Sequence, residues 1–213
     1  MTLRALLTVA AVFVTGASAV LADDAALDRK VRGFLEDNRG RWRDMNVPWV
    51  DGQILHDVVA KHRFRRALEI GTSTGHSSIW IAWALSKTGG KLTTIEIDPE
   101  RHAEAKRNFE EAGVAHLVDA RLADAHELVK ELPGPFDFVF SDADKHWYLQ
   151  YFKDLEAKLE VGGCFTAHNV LRSGGGGAHE FLEYVKRLPN YRTTVETGGG
   201  EGISVSCKVG KQP

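Results

Sequence analysis

Apolar residues recur along this chain in two alternating rhythms. Over 25–38 they fall at Ala26, Leu27, Val31, Phe34 and Leu35, the 3.6-residue period of a helix. Residues 42–49, holding Met45-Asn-Val-Pro48, keep no period and read as a loop, and Asp51 is placed to cap a helix through Ile54, Leu55, Val58 and Val59. From there short apolar runs alternate with helical patterns. Strands are predicted over 66–70, 91–98, 117–122, 136–141 and 164–167. Helices are predicted over 77–85, 100–112 closed by Gly113, a short stretch from 123 to near Pro133, 146–159, and 178–188. Gly162-Gly163 reads as the turn into the fifth strand. Two last strands, 192–197 and 203–209, are joined by Gly198-Gly-Gly-Glu-Gly202 with no helix between them, the mark of an antiparallel hairpin. Strands alternating with helices imply an α/β fold, a mostly parallel sheet of seven strands with helices on both faces.

That alternation has a spatial consequence. Gly71, Glu96, Asp124, Asp142 and His168-Asn169 all fall at the carboxyl ends of successive strands, hence on one rim, where open α/β sheets bind ligands. Gly71-Thr-Ser-Thr-Gly75 leads from a strand into a helix N-terminus, a place for free backbone N–H groups and the positive end of a helix dipole. Its spacing is Gly-x-x-x-Gly, so the dinucleotide fingerprint is absent, and alone it fits a structural turn as well as a site. Glu96, ending the next strand, shifts the balance: a carboxylate only accepts, and the vicinal hydroxyls of a ribose can both donate to it.

The chain has 213 residues, 43% hydrophobic, with a net charge of -2, which suits one domain and disfavours nucleic acid as a partner. The first 22 residues stand apart: Arg4, an apolar run over 5–22, and small residues at Ala17-Ser-Ala19 and Ala22. This is the layout of a signal peptide cleaved after Ala19 or Ala22, giving an exported (periplasmic or secreted) domain over 23–213. The rival is an uncleaved membrane anchor, in which Arg29, Lys30 and Arg32 favour a cytoplasmic domain. Cys164 and Cys207 both sit in predicted strands, so buried thiols are the default, and export would permit a disulfide. His76 and His146 read as surface or packing residues, and Trp49, Trp147 and Tyr148 as pocket walls or core.

From Met45 to the C-terminus the chain resembles the cation-dependent O-methyltransferases that use S-adenosylmethionine, the catechol and caffeoyl-coenzyme A group, whose fold is the Rossmann-like class I methyltransferase sheet. Met45-Asn-Val with Gly52-Gln-Ile54 is similar to the segment that closes over the cofactor's methionine end. Leu68-Glu-Ile-Gly71 and Gly75-His-Ser77 resemble the first cofactor motif, Ile95-Glu-Ile-Asp-Pro99 the ribose motif, and Glu201-Gly202-Ile203 the final hairpin. Phe136-Asp-Phe-Val-Phe-Ser-Asp-Ala-Asp-Lys145, followed by Tyr148, resembles the metal-and-base motif of the caffeoyl branch. The resemblance implies methyl transfer to a small hydroxylated aromatic substrate, with Lys145 as base. It further implies that Met45, Val47, Gly71, Thr72 and Ser77 hold the methionine end, with Glu69 by its amino group. Glu96 takes the ribose, Ala123 and Asp124 border the adenine, and Asp142 serves both cofactor and metal. A homodimer is also compatible.

One position departs from the pattern. The family has Asp-Asn at the fifth strand tip, and this chain has His168-Asn169. Asp142, a carboxylate at 168 and Asn169 would suit Mg²⁺ or Ca²⁺. Imidazole at 168 removes a negative charge and supplies a borderline nitrogen, which shifts preference toward Mn²⁺, Fe²⁺, Co²⁺ or Zn²⁺. The other possibility is that His168 does not ligate and the metal is weak or lost.

Overall fold

The computed structural model describes residues 12–43, 45–171 and 176–210, with 12–23 described in backbone alone. Seven strands form one sheet in the order β3-β2-β1-β4-β5-β7-β6. They are β1 (Arg66–Ile70), β2 (Lys91–Glu96), β3 (Val118–Leu122), β4 (Phe136–Ser141), β5 (Leu159–His168), β6 (Tyr191–Glu196) and β7 (Ile203–Lys208). The first five pair in parallel, and β7 runs antiparallel between β5 and β6.

Among the described residues seven α-helices cover the two faces: α1 (Val12–Asp37), α2 (Trp49–His62), α3 (His76–Ser86), α4 (Pro99–Ala112), α5 (Ala125–Glu131), α6 (Tyr148–Glu156) and α7 (Gly176–Val185). The period-2 alternation of the strands decides which side chain meets which layer. Val139 packs with Leu68, Ile70 and Phe165 under α6 and α7, around Phe152 and Phe181. Its neighbours Phe138 and Phe140 point the other way, onto Leu55 and Val59 of α2 and Ile81 and Leu85 of α3. Beyond them Val31 and Leu35 of α1 meet Trp80, Trp83 and Phe109. Each such side chain, fully buried, contributes about 1.5–3 kcal/mol before entropy is counted.

Capping chemistry sets the helix starts on the site rim. Asp98 accepts from Glu100 N and Arg101 N at 2.8 and 3.0 Å with Pro99 as the first helical residue, and Asp124 accepts from His126 N at 2.9 Å. Asp51 does not cap α2. That position belongs to Pro48, and Asp51 lies in the first turn with its carboxylate buried. Gly162-Gly163 is no turn either. Both lie within β5, where pairing with β4 jumps from Phe136↔Leu159 to Phe138↔Cys164, an irregularity of the strand.

Cys164 and Cys207 are directly opposite across β5 and β7 and form a disulfide, so buried thiols are not what the fold holds. A helix from Val12 runs through Ala19 and Ala22, while residues 1–11 of the expected leader lie outside the described residues. Among the described residues no helix is long and apolar enough to cross a membrane.

Candidate functional site

The carboxyl ends of β1, β2, β4 and β5 open onto a cavity of about 710 Å³, within the range of small-molecule sites. The tips are laced together: Gly71 N donates to Ile95 O at 3.0 Å, Ala123 N to Glu96 O at 2.9 Å and Asp142 N to Ile70 O at 2.8 Å. Gly71 has φ +97°, and a Cβ there would lie 2.6 Å from the Asp142 carbonyl oxygen. Only glycine lets β1 turn this close to β4. The same bonds spend the loop's donors, because Thr72 N also donates to Ile95 O, at 3.2 Å. The expected row of free amides is therefore largely used within the protein.

Of the residues expected at a cofactor, Met45, Gly71, Glu96, Ala123, Asp124 and Asp142 line the cavity, as do Lys145, His168 and Asn169. Val47, Glu69, Thr72 and Ser77 do not. Strand alternation turns Glu69 away from the rim and beneath α3, where Ser77 Oγ and Thr94 Oγ1 donate to its carboxylate at 2.6 Å each and Ser78 Oγ donates as well. Burial outweighs those bonds and pushes its pKa up to about 7. Ser77 is spent on Glu69, and Thr72 Oγ1 pairs with Thr94 Oγ1 at 2.5 Å. Val47 is buried, and its carbonyl accepts from His76 Nδ1 at 2.9 Å.

His76 is a packing residue of a specific kind. Its Nδ1–H goes to Val47, its Nε2 accepts from Trp80 Nε1 at 3.1 Å, and its ring stacks on Trp42 with centroids 4.6 Å apart. Burial lowers its pKa to about 4, against the small upward pull of the Val47 bond. It stays neutral and ties the 45–49 segment to α3.

At one end of the cavity, Glu96 is oriented by three backbone amides, Ser73 N at 2.7 Å, Ile97 N at 3.1 Å and Asp98 N at 3.0 Å. His126, whose ring stacks on Trp147 with centroids 4.0 Å apart, forms a flat wall beside Asp124. Trp147 backs that wall, whereas Tyr148 is fully buried core and Trp49 packs edge-on to Trp80. Sequence reasoning assigned no role to Ser73, Arg101, His126 or Tyr151, all of which line the cavity. The aspartates two residues before His126 and before Arg101's helix were the usable signal.

At the other end stands a chain of charges. Lys145 Nζ donates to Asp142 Oδ1; Asp142 Oδ2 is 3.2 Å from His168 Nδ1; His168 Nε2 is 2.8 Å from Asp51 Oδ2. Carboxylates only accept, so both ring nitrogens carry protons in this arrangement. Burial opposes that charge, but the bonds to Asp142 and Asp51 win and raise the His168 pKa to about 9. Burial likewise works to raise the Asp142 pKa, and His168 and Lys145 overcome it and hold the carboxyl below its ordinary value. Asn169, at φ 59°, donates its amide to Glu201. Five acids line the cavity (Glu96, Asp124, Asp142, Asp144, Glu201) against Arg101, Lys145 and the protonated His168, a field that favours a ligand carrying positive charge.

A divalent cation would have to displace the Nδ1 proton of His168 to use this end of the cavity, and Asp142 and His168 Nδ1 would then be adjacent donors. Two atoms each about 2.1 Å from one ion and at right angles are about 3 Å apart, close to the Asp142–His168 separation. Asn169 lines the same end of the cavity, with its amide nitrogen turned to Glu201.

The chain belongs to the O-methyltransferase family, whose pattern it matches over residues 19–199. It is 39% identical over 127 residues to catechol O-methyltransferase of Niastella koreensis, covering 58% of this chain and 57% of that one. It is 32% identical over 160 residues to caffeoyl-CoA O-methyltransferase 1 of Arabidopsis thaliana, covering 72% and 61%. The matches thus span about three-fifths of those relatives' own lengths. Among solved structures, the O-methyltransferase from Bacillus cereus in complex with SAH superposes with a TM-score of 0.69 at 26% identity, covering 86% of this chain and 90% of that one. The seven-stranded sheet with its antiparallel end is the class I methyltransferase architecture.

Proposed function

We propose that this chain is an S-adenosylmethionine-dependent O-methyltransferase acting on a small catechol-like or vicinal-hydroxyl substrate, assisted by a divalent cation and using Lys145 as base. The observation that carries the reading is a single cavity with a ribose-type acceptor, Glu96, at one end and the Asp142, Lys145, His168, Asn169 cluster at the other. Glu96 accepts from the ribose hydroxyls at Oε2, which keeps the one lone-pair site that its three amides leave over. Ala123, Asp124 and the His126 ring border the adenine, and Met45 and Gly71 border the methionine end. The acidic lining suits the sulfonium charge.

In the reaction the substrate oxygen forms a bond to the methyl carbon as the sulfur–methyl bond breaks. The sulfur keeps the electron pair, and the hydroxyl proton passes to Lys145 Nζ, which must enter the step as the neutral amine with its own proton already given to solvent. A phenolic hydroxyl titrates near ~10, and a dication, when bound, would supply the Lewis acidity that lowers this value. Asp142, His168 Nδ1 and Asn169 are the groups that would hold it. Lys145 reaches the same oxygen because the turn after β4 sets it three residues beyond Asp142.

The test is methyl transfer from labelled cofactor to a panel of catechols, after chelation and after adding back Mn²⁺. Lys145→Met is expected to lower kcat by about 10²–10⁴-fold and leave SAH affinity unchanged. Turnover indifferent to chelator removes the cation from the reaction, and a chain that binds neither cofactor nor product refutes the enzyme reading.

A further inference from the structure

Asp51 lies outside every motif that points to the reaction, yet it touches the site. It sits in the first turn of α2, where the helix dipole favours a carboxylate, and it is fully buried. Its Oδ2 accepts from His168 Nε2 at 2.8 Å, while its Oδ1 is buried with no hydrogen-bond partner. A buried carboxylate is costly unless paired, and His168 is its ion-pair partner. The glycine-rich hairpin loop seals it there: a Cβ at Gly199 would lie 2.1 Å from Asp51 Oδ1.

We infer that Asp51 is the positioning residue of the cation site. By holding Nε2–H it aims Nδ1 of His168 at Asp142, so that a dication displacing the Nδ1 proton would find a nitrogen donor at position 168. This rests on the cation-assisted reading above. A metal-binding histidine commonly donates its second N–H to a carboxylate, which orients the ring and makes the ligating nitrogen more basic. Here α2 supplies that carboxylate from 117 residues upstream. Where the resemblance implies a carboxylate at 168, this chain has a nitrogen with a carboxylate behind it. The pair therefore selects a borderline dication such as Mn²⁺ or Co²⁺ over Mg²⁺.

The test titrates the full chain, freed of metal by chelation and saturated with SAH, with Mn²⁺ followed by free-ion EPR and with Co²⁺ followed by its visible bands. Asp51→Asn is expected to weaken Mn²⁺ binding about 10- to 100-fold and to shift the Co²⁺ bands, with SAH affinity unchanged. His168→Asp alone is expected to raise affinity for Mg²⁺ relative to Mn²⁺. In that background Asp51→Asn should weaken the metal much less than in the native chain, because the imidazole that Asp51 orients is gone and only its charge is lost. A merely structural Asp51 would weaken binding equally in both backgrounds, and that result overturns the inference. So does a wild-type chain that transfers methyl yet binds neither ion, since His168 would then be only a resident cation between two aspartates. Failure to bind SAH strikes the methyltransferase reading, while the Mn²⁺ titration without SAH still judges Asp51.

Discussion

Two buried groups beside the Gly71–Gly75 loop titrate abnormally and in opposite senses, and removing either should expose the other. His76 has its folded pKa lowered from 6.5 to about 4. Between those values the unfolded chain binds the extra proton, so the stability His76 contributes is complete above pH 6.5 and is lost as pH falls toward 4. Glu69 has its folded pKa raised from 4.5 to about 7. There the folded chain binds the extra proton, so its contribution is complete below pH 4.5 and is lost as pH rises through 7. Between pH 5 and pH 7 each is worth about 2 kcal/mol, with opposite signs, and the native chain should show little net slope from the pair. Glu69→Gln still accepts from the serine hydroxyls but does not titrate, so its stability should rise by about 2 kcal/mol from pH 5 to pH 7. His76→Gln should fall by about as much over the same interval. Urea unfolding at both pH values, with slopes compared against the native chain, measures this. Parallel pH profiles in all three proteins would refute the assignment of buried neutral forms to both groups.

Other consequences are as direct. Gly71→Ala forces a Cβ to within 2.6 Å of the Asp142 carbonyl at a left-handed φ; about 2–4 kcal/mol of stability should go, with weaker SAH binding by calorimetry. Glu96→Gln turns an amide donor toward backbone donors at Ser73 or at Ile97 and Asp98. SAH affinity should drop about 10- to 100-fold, and an unchanged Kd would remove Glu96 from the ribose. Reducing the Cys164–Cys207 bond, which closes a 43-residue separation, should cost about 4 kcal/mol on chain-entropy grounds. Denaturant midpoints with and without dithiothreitol report it.

The order of strands and helices, and the rim shared by Glu96, Asp124, Asp142 and Asn169, were legible from sequence because periodicity and βα alternation are local properties that need no knowledge of neighbours. The same local reasoning went astray where a side chain's direction depended on another element. Glu69 follows the strand's alternation into the face under α3 instead of reaching the rim, so it meets hydroxyls and not the cavity. Cys164 and Cys207 became partners only because β7 inserts between β5 and β6, a pairing that composition does not encode. His168 stood out in sequence as a missing carboxylate. That Asp51 backs it could be learned only from tertiary structure, because contact across 117 residues is decided by how α2 packs against the sheet.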